Sequence, residues 1–270
     1  MAVTNLLTFD VEEWFRANYS SLRDFEEPEN DARIEPNVER ILNLCARHQA
    51  TATFFILGQT AERFPGLVRK IRECGHEIAS HGHAHALIYN QPPQAFAADL
   101  KKSLAGLEAI IQERILGYRA PSWSAYSHWD WFFEILQRNG LVYDSSLFPA
   151  KTFLYGDRRA ERFPHQIKGL IEIPASTLML AGRRIPFSSG FFFRLCPSGL
   201  IRHGIRSLNR LGLPAMVCLH PREIDTASPR LKLPPRERFI HYTGIRNAEH
   251  KLDRLLSSFH FCSIRDYLGL

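Results

Sequence analysis

The stretch Leu6-Leu7-Thr8-Phe9-Asp10-Val11-Glu12-Glu13 passes from apolar to acidic within a few residues. A short apolar run of this kind reads as a buried strand, and its carboxylates follow at the strand's end. The same grammar recurs along the chain. Residues 77–79 run into Ser80-His81-Gly82-His83-Ala84-His85, residues 115–118 into Arg119-Ala120-Pro121, residues 141–143 into Asp144, and residues 215–219 into His220. Further strands are expected at 52–57, 170–173 and 261–263, with helical patterns over 35–48, 61–74, 93–112, 129–139, 198–211 and 249–259 between them. Such alternation predicts an α/β fold with a parallel, barrel-like sheet. In folds of that kind catalytic groups sit at the carboxyl ends of strands. Packing alone does not easily explain Asp10, His81, Arg119, Asp144 and His220 each standing at a strand end.

These residue types suit a mononuclear hydrolytic metal site. Two imidazoles and one carboxylate can hold a divalent ion with a position left open, while a second carboxylate serves as base. His81 and His85 stand at i and i+4, neighbours if the segment makes a helical turn. His83 between them would face the second shell or solvent. Asp10 and Glu12 alternate, so both could face the same way, one toward the ion and one toward water; Glu13 is the next candidate if Glu12 points away. Arg119 could keep Asp10 ionised and oriented. The turn Pro121-Ser122-Trp123 could offer a backbone N–H to a developing oxyanion, and Trp123 could pack on a sugar ring. His220 could protonate a leaving amine, with Asp144 holding its tautomer. Against each stands a plainer reading: a core or surface histidine, a solvated acidic loop, a strand-end salt bridge.

Composition narrows the classes. The 270 residues suit one large domain or two small ones, and 45% hydrophobic content supports a core without staples. The net charge of +6 is dispersed, and no zinc-finger pattern or basic heptad appears, so nucleic acid is not the expected partner. Cys45, Cys74, Cys196, Cys218 and Cys262 are odd in number, widely spaced and without a CxxC, reading as buried free thiols of a reducing compartment. No signal-peptide pattern and no apolar run of membrane-spanning length is seen, which places the chain, as an expectation, in the cytoplasm. Residues 151–197 are less regular and read as an insertion shaping the site; within it Phe191-Phe192-Phe193 could line a sugar cleft or form a buried strand.

Taken in order, these motifs resemble the polysaccharide deacetylase family, carbohydrate esterase family four, also called the nodulation-protein-B-like deacetylases. Thr8-Phe9-Asp10, His81-Gly82-His83-Ala84-His85, Arg119-Ala120-Pro121, Asp144-Ser145-Ser146-Leu147 and Leu219-His220 match the family motifs in sequence. The resemblance implies a distorted (β/α) barrel of the NodB-like type, here with an irregular insertion and a C-terminal extension. One domain is expected over 1–270, its core about 4–225 and its extension about 226–270. Nearly the whole chain is similar to one subgroup, the exosortase-associated exopolysaccharide deacetylases. The carriers are Phe9-Asp10-Val11-Glu12, Ala52-Thr53-Phe54-Phe55, Gly117-Tyr118-Arg119-Ala120-Pro121-Ser122, Tyr143-Asp144-Ser145-Ser146, Gly182-Arg183-Arg184-Ile185-Pro186-Phe187 and His220-Pro221-Arg222-Glu223-Ile224-Asp225.

What the resemblance implies is a metal-dependent hydrolase that removes acetyl groups, chiefly N-acetyl, from a bacterial exopolysaccharide or its lipid-linked precursor. Zn²⁺ or another divalent transition metal would sit on Glu12, His81 and His85. Asp10 would be the base, Arg119 its partner, His220 the acid and Asp144 its orienting group. Substrate contacts would come from Ser122, Trp123 and Phe192, and association with an exopolysaccharide assembly system is left open. Two departures stand out. Val11 occupies the position of the family's usual second aspartate, which shifts the metal role to Glu12. Arg222 replaces the expected Trp after His220-Pro221. The alternatives are a small-amide hydrolase of the allantoinase-like kind, and a glycan-binding homologue without catalysis.

Overall fold

The computed structural model describes residues 3–22, 33–152 and 155–270. Its elements run β1 (Asn5–Val11), α1 (Ile34–Arg47), β2 (Thr53–Ile56), α2 (Gly58–Arg63), α3 (Pro65–Glu73), β3 (Glu77–Ser80), α4 (Pro93–Ile111), β4 (Gly117–Tyr118), α5 (Asp130–Arg138) and β5 (Tyr143–Asp144). There follow β6 (His165–Ile167), β7 (Leu170–Glu172), β8 (Thr177–Leu180), β9 (Arg183–Pro186), α6 (Gly190–Leu195), α7 (Ser198–Asn209), β10 (Met216–Leu219), α8 (Pro235–Tyr242), α9 (Ile245–Leu256), β11 (Phe261–Cys262) and α10 (Ile264–Leu268). One sheet carries the order β10-β1-β2-β3-β4-β5-β7-β6, parallel except for the antiparallel edge strand β6. The last strand, β11, returns to pair with the start of β1. The sheet is curled and does not close: among the described residues β6 and β10 make no ladder with each other, so the fold is a half-barrel. Among the described residues no helix is long and apolar enough to cross a membrane.

Alternation along the strands separates two layers. Leu7, Phe9, Val11, Phe54, Ile56, Ile78, Val217 and Leu219 point outward into the large core beneath the helices. Leu6, Phe55, Ala79, Tyr143, Met216 and Cys218 point into the concave side. Both faces are covered, which is why each central strand reads as a short apolar run. The helices answer with stripes at helical spacing: Ile34, Val38, Ile41, Leu42 and Cys45 on α1, and Phe96, Leu100, Leu104 and Leu107 on α4. Burying each such side chain contributes about 1.5–3 kcal/mol.

The lower mouth of the half-barrel is stoppered by Glu77. Its carboxylate accepts hydrogen bonds from Thr53 Oγ1 (2.5 Å), Tyr143 Oη (2.8 Å) and the Arg265 N–H (2.9 Å). The C-terminal helix α10 is thereby pinned under the barrel, and residues beyond 225 rejoin the sheet through β11. Residues 151–197 hold more structure than their composition suggests: β6, β7, the β8–β9 hairpin and α6. The Phe191-Phe192-Phe193 run lies on α6, not on a strand. Of the cysteines, Cys45, Cys196 and Cys218 are buried free thiols, whereas Cys74 is exposed and Cys262 half-buried.

Strand β4 packs so closely on β5 that a side chain at Gly117 has no space; a Cβ there would lie 1.9 Å from the Tyr143 ring. Gly117→Ala is expected to cost about 1–3 kcal/mol through overpacking. The check is a lowered urea midpoint with an unchanged slope, and an unaltered midpoint would contradict this packing.

Candidate metal centre and catalytic site

The carboxyl ends of β1, β3, β4 and β10 converge on the concave side. Inward parity on β1 carries Leu6, Thr8 and Asp10, and Glu12 follows at the same parity just past the strand's end. Val11 takes the outward parity and is buried in the helix-side core. An acid-x-acid pattern thus delivers two carboxylates to one cleft where adjacent acids would point apart. Glu12, His81 and His85 bring one ligating atom each to within 4.8 Å of one another, and all three are buried. Glu13 turns aside and accepts from Thr60 Oγ1 at 3.1 Å.

The donor set fits a divalent cation. His81 gives its Nδ1–H to the Arg119 carbonyl (2.9 Å), which fixes the ring and leaves Nε2 facing Glu12 at 3.8 Å. Burial pushes His81 down to about 4, so the ring is neutral, as a ligand must be. His85 Nε2 lies 2.6 Å from Glu12 Oε2 yet outside hydrogen-bond geometry, a buried nitrogen that a cation would satisfy. Burial alone would raise Glu12, but His85, His220 and Arg222 outweigh it and hold the carboxyl well below its ordinary value.

The histidine segment is not helical. Residues after β3 form an irregular loop in which Gly82 (φ +78°) and His85 (φ +57°) are left-handed, and the two rings meet with centroids 5.7 Å apart. The i,i+4 spacing therefore works through a strained loop. Asp99 on α4 pins that loop by accepting the N–H of His83 (2.7 Å) and of Ala84 (3.1 Å). His83 is buried beside Gly58 and does not face solvent.

Arg119 is fully buried and inward-facing. Its Nη1 donates to Asp10 Oδ1 (2.6 Å) and Thr8 Oγ1 (3.0 Å), Nη2 to Ser145 Oγ (2.9 Å), and Nε to the Ser145 carbonyl (3.2 Å). The guanidinium lies 4.0 Å over the Phe55 ring. Burial would raise Asp10; the Arg119 guanidinium outweighs it and keeps the carboxylate ionised. Asp10 Oδ2 accepts from the Cys218 thiol at 3.6 Å and lies 3.9 Å from His220 Nε2, which is 3.5 Å from Glu12 Oε1.

Asp144 does not reach His220. Tyr143 takes the inward parity of β5, so Asp144 points outward, where Ser146 Oγ donates to it at 2.6 Å and Glu172 stands in register on β7. The partner of His220 Nδ1 is Glu223 Oε1, at 3.1 Å. Glu223 follows three residues later on a short 3₁₀ turn (Pro221–Ile224), a local i,i+3 contact that the motif order did not single out. Its other oxygen is paired with Arg194 of α6. Arg222 lies beside Glu12 and Glu223, at 3.7 and 3.9 Å.

The expected substrate contacts differ as well. Trp123 is only 5% exposed and packs on Phe148 and Tyr155, leaving little face for a sugar. Phe192 is half-buried against Phe148. Ser122 is left-handed (φ +52°), and its hydroxyl accepts from Asn18 at 2.6 Å. Trp123 and Ser124 spend their N–H groups on Ala120 and Pro121 within the turn.

Fold and site together define a class: an α/β half-barrel with two histidines and one carboxylate, arranged as a candidate cation site, at its strand ends. The sequence profile of the polysaccharide deacetylase family matches residues 6–140, and the chain belongs to that family. Residues 145–269 match a domain of unknown function, DUF3473, and the sheet runs through both segments. A peptidoglycan deacetylase of Helicobacter pylori is 30% identical over 118 residues, 42% of this chain and 38% of that protein. A peptidoglycan-N-acetylglucosamine deacetylase of Bacillus cereus is 37% identical over 70 residues, 23% of this chain and 26% of that protein. The matches thus span about a third of the length of these curated relatives. Among solved structures, a Mycobacterium smegmatis protein provisionally described as a polysaccharide deacetylase superposes with a TM-score of 0.68 at 19% identity, covering 100% of this chain and 90% of that one. A pseudoenzyme of carbohydrate esterase family four from Bacillus anthracis gives 0.55 at 14%, covering 99% and 66%.

The outward pair Asp144–Glu172 has its own consequence. Burial raises both carboxyls, the neighbouring Asp144 raises Glu172 further, and Glu172 Oε2 has no donor among the described residues, an arrangement that favours one proton held by the pair. The unfolded chain releases that proton near pH ~4. Its stabilisation is therefore complete below about pH 4 and lost as pH rises through the raised folded-state value. Glu172→Gln supplies a permanent N–H instead, so its stability relative to the parent should climb between about pH 4 and 8. Urea midpoints of both proteins across that range test this; a pH-independent difference would contradict the shared proton.

Proposed function

We propose that the protein is a metal-dependent deacetylase that hydrolyses N-acetyl groups of a polysaccharide, with an exopolysaccharide or its lipid-linked precursor as the substrate class. The observation that carries this reading is the convergence of Glu12, His81 and His85 with Asp10 and His220 at the rim of the same cleft. The family supports acetyl-amide chemistry, and the subgroup motifs support an exopolysaccharide over cell-wall peptidoglycan.

Glu12, His81 and His85 would hold the ion, with Zn²⁺ favoured by the nitrogen-rich set. Bound there, it supplies Lewis-acid polarisation of the acyl carbonyl and a more acidic water. Asp10 would accept a proton from the attacking water at Oδ2, while Arg119 holds Oδ1 and keeps the carboxylate turned to the cleft. Water oxygen adds to the acyl carbon. His220 delivers a proton from Nε2 to the leaving nitrogen as the C–N bond breaks, giving acetate and a free amine. The Nδ1–H stays on Glu223 throughout, so the ring cannot turn its acidic nitrogen away. Arg222, where a Trp is the family's habit, balances the charges of Glu12 and Glu223 beside the site.

Protein loaded with Zn²⁺ is expected to release acetate from N-acetylglucosamine oligomers or a lipid-linked N-acetylated oligosaccharide. Chelation should stop the release and added Zn²⁺ restore it. Asp10→Asn should lower kcat by about 10²–10⁴-fold, the usual worth of a general base, with the Zn²⁺ stoichiometry unchanged. Glu12→Gln should lose the metal itself, read by atomic absorption on the dialysed protein. A metal-loaded parent that binds these glycans and releases no acetate would overturn the reading in favour of a non-catalytic homologue.

A further inference from the structure

Arg194 has no counterpart among the motifs that point to the site, yet all three of its guanidinium nitrogens are engaged. It lies on α6, one turn after Gly190, and is buried at 5% exposure. Nε pairs with Glu223 Oε2, Nη2 donates to the Ile240 carbonyl at 2.6 Å, and Nη1 donates to the Thr243 carbonyl. Both carbonyls belong to the end of α8. Helix α9 grips the same region, since Lys251 Nζ donates to the carbonyls of Arg194 (2.7 Å) and Cys196 (2.8 Å) at the C-terminus of α6. Gly244 (φ +77°) passes so close that a Cβ would lie 2.6 Å from the Arg194 carbonyl oxygen. Residues 235–251 thus form a seat for one guanidinium, and that guanidinium faces Glu223.

A buried ion pair is weak grounds for stability, because desolvation of both charges offsets their attraction. The division of the Glu223 carboxylate suggests a different use. One oxygen is taken by Arg194, the other meets His220 Nδ1 at 3.1 Å. Without Arg194 the carboxylate is free to turn toward Arg222, already 3.9 Å from Oε1. A Cβ placed at Gly190 would lie 3.6 Å from both Glu223 Oε1 and His220 Cε1, so the start of α6 stands beside the imidazole.

We propose that Arg194 is a positioning residue: seated by the carbonyls of Ile240 and Thr243, it fixes Glu223 so that Glu223 fixes the Nδ1–H tautomer and direction of His220. The C-terminal segment, which matches the profile of a domain of unknown function, thereby builds the clamp that aims the acid. The kinetic part rests on the deacetylase reading; the clamp itself does not.

Two measurements on the full-length protein decide it. In long-range ¹H–¹⁵N spectra the parent should show His220 with a hydrogen-bonded Nδ1–H, assigned by its loss in His220→Gln. Arg194→Met and Glu223→Gln should lose that signature, and Arg194→Lys should regain part of it. Persistence of the signal in Arg194→Met, with the fold intact by circular dichroism, refutes the clamp; if that variant does not fold, Glu223→Gln and Arg194→Lys carry the same comparison. Kinetics with Zn²⁺ loaded use a chitooligosaccharide, whose amine must be protonated to leave, and 4-nitrophenyl acetate, whose phenolate leaves unaided. Arg194→Met should lower kcat on the amide about 10²-fold, with KM and Zn²⁺ content unchanged, and leave the aryl ester within about threefold. Equal loss on both substrates overturns the positioning role. A parent inert on both substrates refutes the deacetylase reading alone, since the spectra still decide the clamp.

Discussion

The buried guanidinium of Arg119 is the interaction on which the site depends. A full charge taken out of water is tolerated only when it is paired and every N–H has a partner. Arg119 meets that condition by reaching across the barrel. It binds Asp10 and Thr8 of β1, both the hydroxyl and carbonyl of Ser145, and the sulfurs of Met216 and Cys218 on β10, with Phe55 of β2 beneath it. Its own carbonyl holds His81 Nδ1. One residue therefore sets the ionisation of Asp10, the tautomer of His81 and the spacing of the strands that bear them.

Parity is the second constraint. The sheet is covered on both sides, and every strand-end side chain goes either to the cleft or beneath the helices. Asp10, His81, Arg119 and His220 have the inward parity, Val11 and Asp144 the outward one. The acid-x-acid order and the failure of Asp144 to reach His220 follow from the same rule. Because Asp144 faces Glu172 under the helices, the post of histidine orienter passes to Glu223, which the chain supplies locally. The two ends of the barrel are treated alike: Glu77 ties the C-terminal helix beneath the lower mouth as Arg194 ties α8 beside the upper one.

Much of this was legible in the order of residues. Helices over 34–47 and 93–111, and the strands that carry Asp10, His81, Arg119 and His220, fall where period and turn residues put them, because burial on both faces writes a strand as a short apolar run. The His81–His85 pair was visible as spacing, although a left-handed loop and not a helical turn brings the rings together. Within residues 151–197, α6, β6 and the β8–β9 hairpin were not legible: they are short, and their stability comes from what they pack against. Trp123 was assigned to substrate from its residue type, and its burial depends on Phe148 and Tyr155, which lie far along the chain.

By itself the sequence determined the alternation of strand and helix and the chemical inventory at the strand ends, since both are written in local pattern. Which carboxylate meets which histidine was decided only in three dimensions. That choice depends on the parity of each strand, the curl that leaves the sheet open, and the return of residues beyond 225 against α6. Those are long-range matters of packing, in which a side chain's partner is set by the element across from it and not by its neighbours in the chain.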